Sequence, residues 1–238
     1  MHFATSVVWL RRDLRLEDNA ALEHAARASD RVVCAFVLDP ELLRGQRVGP
    51  PIVSFFFDAL AELRGDLYAY GSDLALLEGD PEIELRTLAQ RVQADAVFFN
   101  RDYDPQAIAR DTRVSDALRR ENIHVASFTD HVYYSAKEVL KDDESPHTVY
   151  AAFKHQWLRR QETDPRPPIG SLAAVKNKLA STNAVGTTLS VPSPEHYGHR
   201  RSTLYPRGGS ARAGEILDAF IEEHIDAYAD KRNFPALE

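Results

Sequence analysis

Three short segments concentrate the side chains of this sequence that can hold a polar ligand. "RRDLRLEDN" (11–19), "DPELLRGQRVGPP" (39–51) and "NRDYDP" (100–105) each set carboxylates, guanidinia or amides directly after an apolar run. Such groups accept N–H and O–H donors, pair with anions and orient a polar ring edge. In the third segment Asp104 precedes Pro105, so a helix starting there would offer free N–H groups to an anion or a ring edge. Other chemistries lack their residues. No G-x-G-x-x-G or G-x-x-x-x-G-K-[ST] follows an apolar run, which disfavours a glycine-cradled dinucleotide or triphosphate. There is no G-x-S-x-G elbow. His196 and His199 in "HYGH" stand three apart without a cysteine or carboxylate pair at ligand spacing, so no metal site is expected. Cys34, the only cysteine, lies in "VVCAFVL" and reads as a small core residue, which excludes an internal disulfide. No catalytic residue is assigned.

The elements that would position these segments are legible from hydropathy. Candidate strands are Val7 to Leu10, Val32 to Leu38, Leu74 to Leu77, Ala96 to Phe99 and Ile123 to Ala126. Their near-continuous apolarity suits strands covered on both faces. The clearest helix runs from Val53 to about Tyr70, where Val53, Phe56, Leu60, Leu63 and Leu67 form one stripe. Asp80 before Pro81 and Asp104 before Pro105 are capping carboxylates ahead of a proline at the first helical position. Alternating strand and helix gives right-handed crossovers, hence an α/β fold: a doubly wound, five-stranded parallel sheet, Rossmann-like, with helices on both faces. Ligands of such sheets sit beyond the carboxyl ends of the strands, where the charged segments fall.

The 238 residues, 44% hydrophobic and 27% charged, suit one sizeable domain plus part of a second. We expect an α/β domain over 1–130, an interdomain linker over 131–206 rich in proline but containing one helix at "TVYAAFKHQWLRR", and the start of a helical domain over 207–238. In that last part Ile216, Leu217, Phe220, Ile221, Ile225 and Tyr228 share a helical face. A lone amphipathic helix has nothing of its own to pack against, which predicts poor order or self-association through that face. No run approaches the roughly 18 apolar residues of a membrane span, and no secretory signal is visible, so a cytoplasmic protein is expected. The formal charge of -7 argues against a duplex-binding surface spread over the chain.

These residues together carry a resemblance. "VVWLRRDLRLEDNAAL" resembles the N-terminal signature of the DNA photolyase and cryptochrome family. "RVVCAFVLDP", "FFFDALAELRGDL", "FFNRDYDPQAIARD", "VYAAFKHQWLRR" and "YADKRNFPALE" follow in the family's order, so the likeness spans essentially the full chain.

The resemblance implies an N-terminal α/β antenna domain, a long connection, and a larger helical domain that binds FAD. It implies light-driven repair of cyclobutane pyrimidine dimers in DNA, or blue-light reception without repair in a cryptochrome. Tyr228 matches the family's first flavin-contacting tyrosine. The flavin-phosphate motif would begin just after "RNFPALE", so this chain is expected to be catalytically incomplete and to bind DNA weakly by itself, UV-damaged DNA being met by the helical domain. An antenna pocket would use Asn100, Asp102, Gln46 and Gln106 and would hold 8-hydroxy-5-deazaflavin, another flavin or methenyltetrahydrofolate. The pattern departs from folate-binding relatives at Ala107, Gln106 and Gln46, and from deazaflavin-binding relatives at Ile52, while Asp102 matches the latter. A stand-alone α/β module binding a nucleotide or chromophore is the competing reading. The charges of Arg11, Arg12, Asp13, Arg15 and Asp18 are expected to pair among themselves, with Asp18 or Asn19 capping the helix from Ala20.

Overall fold

The computed structural model describes residues 1–45, 48–166, 172–203 and 206–234. In chain order the first elements are β1 (Phe3–Trp9), α1 (Ala20–Ala28), β2 (Ser29–Leu38), α2 (Pro40–Arg44), α3 (Pro50–Ala69) and β3 (Ala75–Glu78). Then come α4 (Pro81–Val92), β4 (Ala96–Asn100), α5 (Pro105–Arg120) and β5 (His124–Phe128). The later helices are α6 (Tyr150–Thr163), α7 (Leu172–Lys176), α8 (Thr182–Val185), α9 (Ser210–Glu223) and α10 (Tyr228–Lys231). They fall into two compact units, Met1–Asp39 with Leu67–Leu189, and Pro40–Asp66 with Ser190–Glu238.

The first unit is built on five parallel strands in the order β3-β2-β1-β4-β5. This is the expected doubly wound sheet. On one face Val7, Trp9, Val33, Ala35, Val97 and Phe99 pack with Leu85 and Leu88 of α4 and Val114 and Leu118 of α5. On the other, α1 buries Leu22 and the small side chains of Ala21, Ala25 and Ala26, which let helix and sheet approach closely. Asp80 accepts the Glu82 N–H and Asp104 accepts those of Gln106 and Ala107, each just ahead of a helix-starting proline, as the sequence suggests.

β1 starts at Phe3 rather than Val7, and β2 at Ser29 rather than Val32. Most of the extra residues are polar, and the hydroxyls among them are tolerated because each finds a neighbour-strand partner. Ser29 Oγ donates to Ser6 Oγ at 2.9 Å, and the Arg31 guanidinium reaches Thr5 Oγ1 at 2.8 Å.

Residues after α7 return to this sheet. The Val32 N–H donates to the Lys178 carbonyl and the Ala180 N–H to the Val32 carbonyl, both at 2.7 Å. Thr188 Oγ1 takes the Leu76 N–H at 2.5 Å and donates to the Leu74 carbonyl at 2.8 Å. The chain thereby occupies backbone groups along β3, an edge strand that would otherwise offer them to another molecule.

In the second unit Phe57 of α3, not Phe56, is the fully buried phenylalanine, because it stacks on Tyr197 with ring centroids 5.7 Å apart. His199 Nε2 lies 2.7 Å from the Leu43 carbonyl. The expected single helix over the last part breaks after Glu223 into a 3-10 turn at Ile225–Ala227, where bonding tightens from i+4 to i+3, and resumes as α10. α9 and α10 contain no buried residue.

Candidate functional site

The strand order reverses between β1 and β4, so the loops leaving these two strands flank the switch point of the sheet. The α1 side of that point is filled by three buried polar residues. Asn100, 1% exposed, donates through Nδ2 to Asp13 Oδ2 at 2.7 Å and to Asn19 Oδ1 at 2.9 Å. Asn19 Nδ2 also reaches Asp13 Oδ2, and the Arg11 N–H donates to Asp13 Oδ1 at 2.8 Å.

The same residues satisfy the start of α1. Its N–H groups at Ala20, Ala21 and Leu22 donate to Asp130 Oδ1, Asn100 Oδ1 and Asn19 Oδ1 at 2.9, 2.9 and 3.1 Å. Asp130, whose side chain is wholly buried, also pairs with Arg15 at 2.9 Å. A helix N-terminus at this place in a doubly wound fold is where an anion would settle. Here a carboxylate and two amide oxygens from the protein already fill that role.

The α5 side is closed by Arg11. Its guanidinium donates to Asp111 Oδ1 at 2.6 Å and to the Asn100 carbonyl, and lies 4.6 Å from the Trp9 ring centroid and 4.8 Å from that of Phe99. Burial pulls the Arg11 pKa below its ordinary value, with Asp111 working in the opposite direction. Arg110 shares Asp111 at 2.9 Å and lies 5.0 Å from the Trp9 ring centroid. Cation–π contact and ion pairing thus hold the desolvated charge together.

The charged side chains of "RRDLRLEDN" therefore pair mostly with other segments, Arg11 with α5 and Arg12 and Arg15 with the loops after β4 and β5, not among themselves. Arg15 with Asp18, and Asp13 with the Arg11 backbone and the Asn19 amide, stay local. Asn19, not Asp18, caps α1; Asp18 sits instead at a left-handed φ of 49° and offers its carbonyl to Arg15. The sequence reading missed Asp111 and Asp130. Asp111 carried a signal, since it interrupts the apolar stripe Ala107, Val114, Leu118 of α5 and a carboxylate on a buried face needs a partner. Asp130 lies two residues beyond β5, as Asn100 ends β4, at the same edge of the sheet.

The antenna candidates are placed unequally. Asp102 accepts the Tyr103 N–H at 2.7 Å and the Asp104 N–H at 3.3 Å through Oδ1, while Arg12 Nε stands 3.5 Å from Oδ2. Burial alone would raise its pKa, but the two N–H donors, Arg12 and Arg11 bring it below the ordinary value. The carboxylate is thus ionised and Oδ2 keeps acceptor capacity. Gln106 lies exposed in the first turn of α5, and Tyr103 beside it is largely exposed. Asn100 points inward with its amide fully used. Gln46 lies outside the described residues. Tyr228 belongs to the other unit, 50% exposed at the start of α10, with its ring edge on Phe220 at 5.7 Å.

Residues 6–170 match the family model described as DNA photolyase. The chain belongs to the DNA photolyase family. It is 34% identical to a deoxyribodipyrimidine photo-lyase of Halobacterium salinarum, over 95% of this chain and 48% of that protein. A crystal structure of a bacterial class III photolyase from Agrobacterium tumefaciens superposes with a TM-score of 0.79 at 25% identity, covering 100% of this chain and 48% of that one. An archaeal photolyase from Sulfolobus tokodaii, solved with two FAD molecules, gives a TM-score of 0.71 at 25% identity over 90% of this chain and 45% of its own. The chain thus spans about half the length of these photolyase relatives. The matched stretch of this photolyase-family chain includes the switch-point network and Asp102 but not Tyr228. Among the described residues no helix is long and apolar enough to cross a membrane.

Proposed function

We propose that this chain is the light-harvesting part of a photolyase that repairs cyclobutane pyrimidine dimers, with catalysis resting on a helical FAD-binding domain. The observation that carries this reading is the family match over residues 6–170, which takes in all five strands but the first residues of β1, in a chain that aligns with half of its photolyase relatives. UV-damaged DNA would be engaged by that other half, and this chain alone would bind it weakly. Its net charge of -7 supports that division.

The donor set fits an antenna pigment with a polar ring edge. Asp102 Oδ2 would accept from a ring N–H or O–H, the exposed Gln106 amide would meet a carbonyl edge, and Asn100 would act as framework by fixing β4 to α1. Such a pigment, 8-hydroxy-5-deazaflavin or another flavin, supplies light absorption. Tyr228 would contact FAD in the complete protein. A nucleotide phosphate at the start of α1 would have to displace Asp130, Asn100 and Asn19, so no observation favours the nucleotide-module reading there. The apolar face of α9 would mediate self-association of the isolated chain in an intracellular setting.

The deciding experiment is chromophore extraction from the purified chain, with an absorption spectrum and a dimer-repair assay under blue light. An antenna pigment without FAD and without repair is expected. Tightly bound FAD with repair by this chain alone would overturn the reading.

A further inference from the structure

The first turns of α3 carry Pro51, Ser54, Phe55 and Asp58 on one face, spaced as i, i+3, i+4 and i+7. A cleft of about 340 Å³ opens over that face, and Arg201, Thr203 and Arg207 form its opposite wall. The wall is fastened to α3 on both sides of the cleft. On one side the Ser202 N–H donates to Ser54 Oγ at 2.8 Å and the Arg201 guanidinium pairs with Asp58. On the other, Gly208 lies so close to α3 that a Cβ would overlap the Phe55 carbonyl, and the Ala211 N–H donates to Glu62 Oε1 at 2.9 Å. Described residues that flank and line the cleft are thus held to α3 by hydrogen bonds, an ion pair and a close backbone approach.

Its chemistry is specific in two respects. The carboxylate of Asp58 is already answered by Arg201, so the second guanidinium, Arg207, with its Nε 4.0 Å from Asp58 and 83% exposed, adds net positive charge. Phe55 is 48% exposed, and with Pro51 and Pro206 it lines the cleft with apolar surface. A guanidinium favours phosphate or carboxylate, and an exposed phenyl ring favours a planar partner. The volume lies at the low end of small-molecule sites, about 300–1,000 Å³.

We propose that this cleft binds a small molecule joining a planar aromatic ring to an anionic group, of the class of a nucleoside monophosphate. The ring lies on Phe55 and the anion is held by Arg207, with the Thr203 hydroxyl as a neutral donor. The site lies within the second unit and is independent of the antenna reading and of the α1 N-terminus.

The test is calorimetric titration of the full chain with AMP, adenosine and inorganic phosphate. Saturable AMP binding is expected, with adenosine and phosphate each weaker by about tenfold or more, the worth of one charge-assisted contact. Arg207→Ala should weaken AMP by a similar factor and leave adenosine unchanged, whereas Phe55→Ala should weaken both. Both side chains are exposed, and unchanged thermal unfolding of each variant shows that the fold is kept. Absence of AMP binding, AMP binding unaffected by Arg207→Ala, or loss of binding in Arg12→Ala instead would overturn the proposal.

Discussion

The switch-point edge of the first unit and the α9–α10 segment of the second invert the usual distribution of side chains. At the sheet edge Asp13, Asn19, Asn100 and Asp111 are buried, and each is held by hydrogen bonds or an ion pair. In α9 and α10 Ile216, Leu217, Ile221 and Tyr228 are exposed. Polar groups inside the protein persist only when every donor and acceptor is matched, and then removing one member is costly. Apolar groups outside contribute little until something covers them. Substitutions at the first region should therefore be read out as stability, and substitutions at the second as association.

The largest effect is expected at Arg11. Arg11→Ala leaves the buried Asp111 carboxylate to Arg110 alone, takes the guanidinium donor from the Asn100 carbonyl and opens a gap between Trp9 and Phe99, and should cost about 3 kcal/mol in urea unfolding. The double variant R11M/D111L should recover part of that loss, because much of the penalty comes from a buried carboxylate left with too few donors and not from the absence of the pair itself. If the single variant were neutral, the network would be exposed in solution and the contrast between the two regions would collapse.

Asn100→Leu comes next. It leaves the Ala21 N–H without its acceptor and takes one of their donors from each of Asp13 and Asn19, a loss of about 1–3 kcal/mol by chemical unfolding. Asp13→Ala in the same background should add less than it does alone, since the two residues share hydrogen bonds. Full additivity would show that these side chains do not act as one network.

A smaller, pH-dependent effect is expected from Asp102. Its folded-state pKa is lowered, so the stability it contributes is present above the unfolded carboxyl value of about 3.9 and is lost as pH falls through the folded value. Urea midpoints measured below about pH 4 should fall more steeply for the natural chain than for Asp102→Asn. Parallel acid limbs would mean that the Tyr103 and Asp104 N–H groups do not hold this carboxylate in solution.

How far these regions were legible from sequence follows from the range over which each is determined. The strands, the caps at Asp80 and Asp104 and the doubly wound order rest on local hydropathy and turn chemistry, and the structure has them. The polar ends of β1 and β2 were missed because Ser6, Ser29 and Thr5 become strand residues only through partners on the neighbouring strand. The pairing of Arg11 with Asp111 and of Arg15 with Asp130 joins residues 100 and 115 positions apart, so "RRDLRLEDN" showed that charges would be matched without showing by what. Asn100 was selected as a ligand contact on its place beyond a strand. Its burial depends on Asp13 and Asn19 coming from another loop, which no periodicity reports.

The smallest stability effect, and the sharpest test of the contrast, is expected in α9. Leu217 is 56% exposed, and Leu217→Lys removes apolar surface that already faces water, so the chain should unfold within about 0.5 kcal/mol of the natural one. The same change places a charge in the middle of the stripe formed by Ile216, Phe220 and Ile221. If that stripe mediates self-association, sedimentation velocity should show the natural chain shifting to larger species with rising concentration while the variant stays monomeric. A loss of 2 kcal/mol or more, the order seen when a buried leucine is cut away, would instead mean that α9 is packed in solution. The inversion between the two regions would then be false, and the variant would report on folding and not on contact between copies.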